Sequence, residues 1–267
     1  MEYNHIIFTR FNVPSPGKEE VIRSDKNWLE SRFQLFDKFC FPSVKGQTCA
    51  DFTWLVFFDE HTPDRYKELI SDYQKRLPSF TPVFVSTWNT EVVHSAIRRY
   101  LSKDFLLTTR LDNDDAIHKD FVSTLRDQDH EEGVYYNFSD GLTFNKGVAF
   151  SHKDLSNAFL SYFEKSDGFQ GVWKYAHPDV IQKFQVQQLK LEYAWLQVIH
   201  GTNVSNKVRG KMVTPGVWDG YYPAEVSTGL TIPTGFSMVW QNSVMATFRE
   251  MRDGLIKLLK KFKSFVK

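Results

Sequence analysis

The sequence is poor in cysteine and has no excess of charge of either sign. Its 267 residues include two cysteines, Cys40 and Cys49, which match neither a disulfide framework nor a zinc-site spacing. Lys and Arg total 33 and Asp and Glu total 32, so the net charge of +1 gives no reason to expect a nucleic-acid partner. We therefore expect a reduced, cytoplasmic protein that does not bind nucleic acid.

Long apolar runs are also lacking. No run of apolar residues is long enough to cross a bilayer. The first residues lack the basic and apolar regions of a signal peptide. A hydrophobic share of 42% with 24 phenylalanines nevertheless suffices for one sizeable globular core.

Short apolar segments alternate with helical patterns through the first half of the chain. Strands are predicted over residues 6–11, 52–58, 82–86 and 105–111, with helices over 24–40, 62–76 and 91–102. Pro42 and Gly46 are expected to stop the first helix. Because the strands are apolar throughout, they predict an α/β fold with a mostly parallel sheet flanked by helices.

The second half has a weaker pattern. Strands are predicted over residues 133–138 and 147–151, joined through a turn near Asp140-Gly141. Residues 186–200 are apolar and periodic enough to be partly helical. A loop is expected over 201–235, and a loop of that length is usually functional or mobile.

An acidic cluster follows the fourth predicted strand. Asp112, Asp114 and Asp115 place three carboxylates within four residues, at the edge of the sheet where ligands bind and where Asp59 also lies. Asp114 or Asp115 would bind a divalent cation directly, together with phosphate oxygens, and Asp112 would orient through a ribose hydroxyl or a water. Alternatively, the cluster is a solvated turn that caps a helix. His200, at a turn after an apolar segment, is either a second metal ligand, suited to Mn²⁺ or Mg²⁺, or a structural histidine.

The chain also resembles a known family. Asp112-Asn113-Asp114 matches the Asp-x-Asp signature of the glycosyltransferase A (GT-A) fold. Stretches similar to bacterial rhamnosyltransferases are Phe8–Phe11, Trp54–Asp59, Thr109–Ala116 and Trp195–Asn203. The resemblance implies a GT-A-like domain over residues 1–235, with a nucleotide-binding half over 1–118 and an acceptor half over 119–235. A helical tail that could associate with a membrane would follow over 236–267.

The same resemblance implies roles for single residues. Asp59 would contact the nucleobase of a nucleotide-sugar, and Asp112 the ribose or donor sugar. Asp114 would bind the metal at the diphosphate, and His200 would complete its coordination. Three arginines lie near enough to strand ends to pair with phosphates, unless they are solvated or structural: Arg10, Arg98 and Arg110.

Sugar transfer with inversion also needs a carboxylate to accept the proton of the acceptor hydroxyl. Glu164 and Asp179 are the preferred candidates, ahead of Glu192, and each is alternatively a surface charge. Three aromatic residues of the 201–235 loop would either form a lid or acceptor platform or lie against the core: Trp218, Tyr221 and Tyr222.

The last residues form a basic amphipathic pattern. Five apolar residues of 254–267 share one helical face, and Lys257, Lys260, Lys261, Lys263 and Lys267 cover most of the rest. Such a helix either lies on an anionic membrane or docks on its own core.

We therefore expect a metal-dependent glycosyltransferase at the inner face of a membrane. It would move a sugar, rhamnose by the family's label, from a nucleotide-diphosphate donor to a glycan or lipid-linked acceptor in surface polysaccharide synthesis. The alternatives are a metal-dependent phosphohydrolase of nucleotide-sugars and a non-catalytic membrane-associated binding module.

Overall fold

The computed structural model describes residues 2–14, 27–200, 207–249, 251–252 and 254–255. In chain order the strands are β1 (Tyr3–Arg10), β2 (Thr53–Asp59), β3 (Phe80–Val85), β4 (Phe105–Arg110), β5 (Ala116–Ile117), β6 (Tyr135–Phe138), β7 (Asp140–Asn145), β8 (Val148–Lys153), β9 (Ser161–Lys165), β10 (Val186–Leu189), β11 (Trp195–Ile199) and β12 (Lys211–Val213).

The helices are α1 (Trp28–Leu35), α2 (Phe41–Lys45), α3 (Asp64–Arg76), α4 (Thr90–Arg98), α5 (Phe121–Arg126), α6 (His177–Lys183), α7 (Ala224–Ser227) and α8 (Gly235–Val239). A π turn at Phe36–Cys40 joins α1 to α2, and another at Trp240–Met245 follows α8. A 3₁₀ turn covers Pro215–Trp218.

The larger sheet has seven strands in the order β10-β6-β9-β4-β1-β2-β3. Strands β1 to β4 pair in parallel, and only β9 runs antiparallel to its neighbours. One face is covered by α1, α2, α3 and α5, with Phe36, Trp54 and Tyr73 in that core. The other face is covered by α4 and α6, with Phe57 and Ile97 in its core. The predicted α/β class, with a mostly parallel sheet flanked by helices, is confirmed.

A second, five-stranded sheet has the order β12-β8-β7-β11-β5. Strand β5 begins directly after the acidic cluster and pairs with β11, placing Ala116 beside Leu196. Strand β11 ends just before His200. The second sheet thus brings the acidic cluster and His200 to the same part of the molecule, although they lie far apart in the sequence.

The prediction of a partial helix within residues 186–200 is wrong, because this segment forms β10 and β11. Strand β10 extends the large sheet beside β6, and β11 lies between β7 and β5 in the small one. Both strands are held by partners distant in the chain, and that pairing outweighs the local periodicity.

The turn predicted at Asp140-Gly141 is also wrong. Both residues belong to β7, and the hairpin turn to β8 falls at Lys146 and Gly147, which have positive φ angles of 49° and 85°. A Cβ atom on Gly141 would come within 2.1 Å of the Trp195 ring, so the glycine serves close packing rather than a turn.

The first helix runs beyond its predicted end at Cys40, since α2 continues to Lys45. Pro42 does not stop it, because it lies in the first turn of α2, directly after the π turn, where a missing N–H is tolerated. Gly46 ends α2 as predicted.

The predicted 201–235 loop contains β12, the 3₁₀ turn and α7 within its described part. Residues 256–267 of the predicted basic tail lie outside the described residues. Within the described ranges, every helix is too short or too polar to traverse a bilayer.

Candidate functional site

Asp114 is the centre of a charged cluster at the carboxyl ends of the parallel strands. Its Oδ2 atom lies 2.6 Å from Nε2 of His200 and 2.8 Å from Nη1 of Arg32. All three side chains are mostly buried. The structure therefore brings together the acid and the imidazole predicted from sequence, and adds a guanidinium from α1.

Two neighbours of Asp114 hold it in place. The Asn113 amide donates to the carbonyl oxygens of Arg10 and Phe11 at 3.2 and 2.8 Å, which ties the segment to the end of β1. The Asp115 carboxyl accepts a hydrogen bond from the Val198 N–H at 2.8 Å, which ties it to β11. Side chains 113 and 115 thus anchor the acidic segment to both sheets.

The adjacent carboxyls of Asp114 and Asp115 have opposite shifts in pKa. Burial acts to raise the pKa of Asp114, but the hydrogen bond with His200 and the charge of Arg32 outweigh it and lower the pKa. Burial, followed by the charges of Asp114 and Asp112, raises the pKa of Asp115 well above its usual range. These interactions favour the ionised form of Asp114 and the protonated form of Asp115.

Arginine and tryptophan pairs form the rim beside this cluster. Arg110 donates to both carboxylate oxygens of Asp112 at 3.1–3.3 Å, and its guanidinium carbon lies 4.3 Å from the centre of the Trp173 ring. Arg10, at the end of β1, lies 5.7 Å from the Trp88 ring centre. This rim offers positive charge and aromatic surface in one place.

Asp59 lies at the same edge of the large sheet, at the end of β2. Its carboxylate accepts a hydrogen bond from the His61 N–H at 2.9 Å, and its backbone N–H donates to Asn12 at 3.0 Å. Asp59 therefore lies where a ligand at the ends of β1 and β4 can reach it.

Arg98 is not brought to this edge. It is the last residue of α4, which returns to the start of β4. Four residues later, the Ser102 N–H donates to Asn4 at 2.8 Å, and Asn4 lies near the beginning of β1. Arg98 is thus near the opposite edge of the sheet, because the crossover helix runs antiparallel to the strands.

Glu164 is likewise held away from the rim. In β9 it pairs with Leu106, four residues before Arg110, which is about 13 Å along the strand. Its two carboxylate oxygens accept the N–H groups of Gln170 and Gly171, each at 2.8 Å. Burial raises the pKa of Glu164, and these hydrogen bonds oppose that shift. Its carboxylate orders the loop at Gln170 and Gly171, and this position does not favour the catalytic role predicted for Glu164, which stays a prediction.

Asp179 is exposed in the first turn of α6. Two residues earlier, His177 places Nδ1 2.8 Å from the Ser156 carbonyl oxygen, so Nδ1 carries the proton and Nε2 has a free lone pair. Burial lowers the pKa of His177, and the nearby charge of Arg110 acts in the same direction. The start of α6 therefore brings the His177 imidazole near the Arg110–Asp112 pair, and the exposed Asp179 lies two residues further along the helix.

The aromatic residues proposed as a lid belong mainly to the core. Trp218 and Tyr222 are buried, and the Tyr222 hydroxyl donates to the Tyr193 carbonyl oxygen. Tyr221 is more accessible and donates to Glu192 at 3.1 Å. The core alternative therefore holds for Trp218 and Tyr222.

Residues 4–212 match a protein family described as "putative rhamnosyl transferase". The chain belongs to this family. The match covers well over half of the chain and includes both sheets as far as β12. No curated protein matches the chain.

Solved glycosyltransferase structures are similar to this rhamnosyl transferase family member only in part. TarS 1–349 of S. aureus with UDP is 12% identical, covers 73% of this chain and 60% of its own, and has a TM-score of 0.45. The same fragment with UDP-GlcNAc is 10% identical, with coverages of 79% and 62% and a TM-score of 0.41. Apo GlyE of Streptococcus pneumoniae TIGR4 is 12% identical, with coverages of 82% and 60% and a TM-score of 0.37. The chain thus spans about 60% of the length of these structures, and the family match alone carries the assignment.

The side-chain atoms around Asp114 are of the kinds that bind a divalent cation together with phosphate. A carboxylate oxygen and an imidazole nitrogen are ligands that Mn²⁺ and Mg²⁺ accept, with phosphate oxygens and water completing the shell. In the described parts of the family member, no three His, Cys, Asp or Glu side chains are grouped to hold a metal ion. Asp114 and His200 therefore fit as two protein ligands of a cation that also needs a bound diphosphate.

Four residues of the site were missed by the sequence analysis: Arg32, Trp88, Trp173 and His177. Arg32 lies 82 positions before Asp114. The apolar pattern of α1 identifies the buried face of the helix, but it does not show which acid Arg32 pairs with. The two tryptophans carried a signal in principle, since each lies in a segment that follows a strand. Composition alone, however, does not distinguish a rim tryptophan from a core one.

Proposed function

We propose that the protein transfers a sugar from a nucleotide-diphosphate donor to a glycan or lipid-linked acceptor. The observation that carries the proposal is the convergence of His200 and Arg32 on one carboxylate oxygen of Asp114, at 2.6 and 2.8 Å. The family match supports a sugar-transferring activity, and rhamnose is the sugar that we propose from the family description. The chain's own residues define the steps that follow.

The donor would lie along the ends of β1, β2 and β4. We assign Asp59 to the nucleobase and Asp112 to hydroxyls of the ribose or sugar. Arg10 and Arg110 lie where the diphosphate would pass, and their stacking on Trp88 and Trp173 limits their freedom before the donor arrives. We do not assign Arg98 to the donor, because of its place at the opposite edge.

Asp114 and His200 would hold Mn²⁺ or Mg²⁺ once the donor is present. Such an ion supplies a Lewis acid at the leaving diphosphate. Arg32 would add a fixed positive charge beside the diphosphate, where negative charge develops as the bond between the sugar and the diphosphate breaks. Arg32 also neutralises Asp114, so the carboxylate is not left as an unpaired buried charge.

Asp179 is the proposed general base for the acceptor hydroxyl, with His177 as the second candidate. Both lie at the start of α6, where an acceptor could approach from solvent. A base at this point is typically worth about 10²–10⁴-fold in rate. The acceptor half would comprise residues 119–235, after a nucleotide-binding half over 1–118, and the lysine-rich end of 236–267 would hold the protein at the cytoplasmic face of a membrane, where surface polysaccharides are assembled.

Nucleotide binding tests this proposal directly. Calorimetry with UDP, GDP, CDP and dTDP, each with and without Mn²⁺, should identify one Mn²⁺-dependent ligand. At a hundred times its Kd, that ligand should stabilise the protein by about 2.7 kcal/mol. Asp114→Ala should abolish Mn²⁺-dependent binding, while the matched control Asp64→Ala, an exposed acid at the start of α3, should retain it.

Two results would count against the proposal. One is undiminished Mn²⁺-dependent binding by a folded Asp114→Ala variant. The other is release of free sugar from the donor at the same rate with and without an acceptor, which would identify a hydrolase.

A further inference from the structure

In the last described helical stretch, polar side chains face the protein and apolar side chains face solvent, the reverse of an ordinary amphipathic helix. This terminal helix comprises α8, the π turn at Trp240–Met245 and the helical residues from 246 to 255 that the structure describes. Asn242 exchanges two hydrogen bonds with the backbone of Met212 in β12, at 2.6 and 3.0 Å. Arg249 is 8% exposed and donates to the Gly210 carbonyl oxygen at 3.0 Å. Polar side chains therefore attach this helix to the protein.

The opposite side of the terminal helix presents large apolar side chains to solvent. Phe236 is 83% exposed, Val239 65%, Trp240 49%, Phe248 61%, Met251 66% and Leu255 61%. The extra residue of the π turn brings Phe248 back into line with Trp240, so these side chains share one side of the helix. A contiguous apolar face of this size on a helix docked through polar groups indicates contact with an apolar phase or partner.

The charge of the sequence that follows indicates what covers this apolar face. From residue 254 to residue 267 the sequence has five lysines and no acidic residue. A second copy of the chain would bring two such segments together, whereas anionic lipid offers negative headgroups beside an apolar interior. Trp240, which combines an aromatic surface with an N–H group, is of a type enriched at the membrane–water interface.

We propose that the terminal helix lies in the surface of an anionic membrane, with Phe236, Trp240 and Phe248 inserted among the lipids. This deepens the membrane attachment proposed above and identifies the part of the described structure that enters the bilayer. The lysines that follow bind headgroups, and insertion of the aromatic side chains supplies the part of the affinity that salt does not screen.

The register of the small sheet relates this helix to the candidate site. Met212 pairs with Phe150, Phe150 with Thr143, and Thr143 with Gln197, three residues before His200. Three strand spacings separate β12 from β11, about 14 Å in all. With about 10 Å more along β11 from Gln197 to His200, Met212 lies about 17 Å from His200, a distance that a lipid-linked acceptor would have to span in addition to the width of the helix.

Vesicle co-sedimentation of the full chain tests the proposal. We expect binding to phosphatidylcholine vesicles with about 30% phosphatidylglycerol, and little binding to phosphatidylcholine alone. The combined change Phe236→Ser, Trp240→Ser and Phe248→Ser should weaken binding to the anionic vesicles about tenfold or more. The control Leu155→Ser, at a residue 55% exposed outside this helix, should bind like the wild type.

Several outcomes would overturn the proposal. Failure of the wild type to bind anionic vesicles is one, and full binding by the triple variant is another. A wild type that is dimeric by light scattering, with a monomeric triple variant, would identify a second copy as the partner. Nucleotide binding measured on the same proteins separates this test from that of the catalytic site, because the triple variant should bind nucleotide normally.

Discussion

Asp115 should be a structural acid rather than a metal ligand. Its side chain is 1% exposed, and the carboxyl accepts the Val198 N–H at 2.8 Å. Val198 lies two residues before His200, so this single hydrogen bond connects the acidic segment to the strand that positions the imidazole. Asp115→Ala removes the acceptor and leaves a buried N–H without its partner.

The expected loss follows from that geometry. An unsatisfied buried N–H costs about 1–3 kcal/mol, and at about 2–4 °C per kcal/mol Asp115→Ala should lower Tm by about 2–12 °C. Asp115→Asn keeps a carbonyl oxygen of the same shape and removes a buried acid from beside Asp114 and Asp112, so Tm should fall by less than about 2 °C. Urea unfolding and thermal melts measure both, with the exposed Asp64→Ala and Asp64→Asn pair as control.

The functional consequence separates two roles for the same residue. We expect Asp115→Asn to retain Mn²⁺-dependent nucleotide binding, because Asp114 and His200 keep their positions. The reasoning is refuted if Asp115→Asn destabilises the protein as much as Asp115→Ala. It is also refuted if a stable Asp115→Asn variant loses metal-dependent binding, since the carboxylate would then be a ligand.

Three further predictions concern residues whose contacts differ in kind. Glu164→Ala should destabilise the protein by about 1–3 kcal/mol, seen by urea unfolding, and leave nucleotide affinity and transfer rate of the folded enzyme unchanged; a slow but stable variant would restore Glu164 as the base. Arg110→Lys keeps the charge but loses the paired contact with Asp112 and the stacking on Trp173, so calorimetry should show nucleotide affinity about three- to tenfold weaker; unchanged affinity would remove Arg110 from the donor site. Burial lowers the pKa of His5 to about 3, so the unfolded chain, with a histidine pKa near 6.5, binds more protons below that pH and stability falls as pH decreases. From pH 7.5 to pH 5 this histidine should account for about 2 kcal/mol, and His5→Gln should reduce the pH dependence of urea unfolding by that amount; an identical slope would contradict the assignment.

The parallel part of the fold could be predicted because its signals are local. Strands β1 to β4 are apolar over their whole length and separated by helical patterns, which is how a buried parallel sheet appears in a sequence. The acidic segment follows β4 directly, so the prediction of β4 also predicted that the segment lies at the carboxyl edge of the sheet. The same argument predicted the place of Asp59 at the end of β2, two strands away from β4.

The second half could not be predicted in the same way, because its strands are defined by distant partners. Residues 186–200 have an apolar pattern that fits a helix or a strand, and pairing with β6, β5 and β7 decides between them. Glu164 shows the same limit at a single position. Its neighbours in sequence indicate a strand with aromatic residues, but only the register of β9 against β4 shows which edge of the sheet it reaches.

The Asp-x-Asp spacing has a physical reason in this molecule. Asp112 and Asp114 face charged partners, Arg110 in one case and Arg32 with His200 in the other. The residues between and after them, Asn113 and Asp115, bond to backbone groups at the end of β1 and in β11. Positions 112 and 114 therefore belong to the charged cluster, whereas positions 113 and 115 fix the segment to the backbone of the two sheets. A substitution that removes the anchoring hydrogen bond at position 113 or 115 should disturb the site without removing Asp112 or Asp114, because these backbone bonds hold the two carboxylates in place.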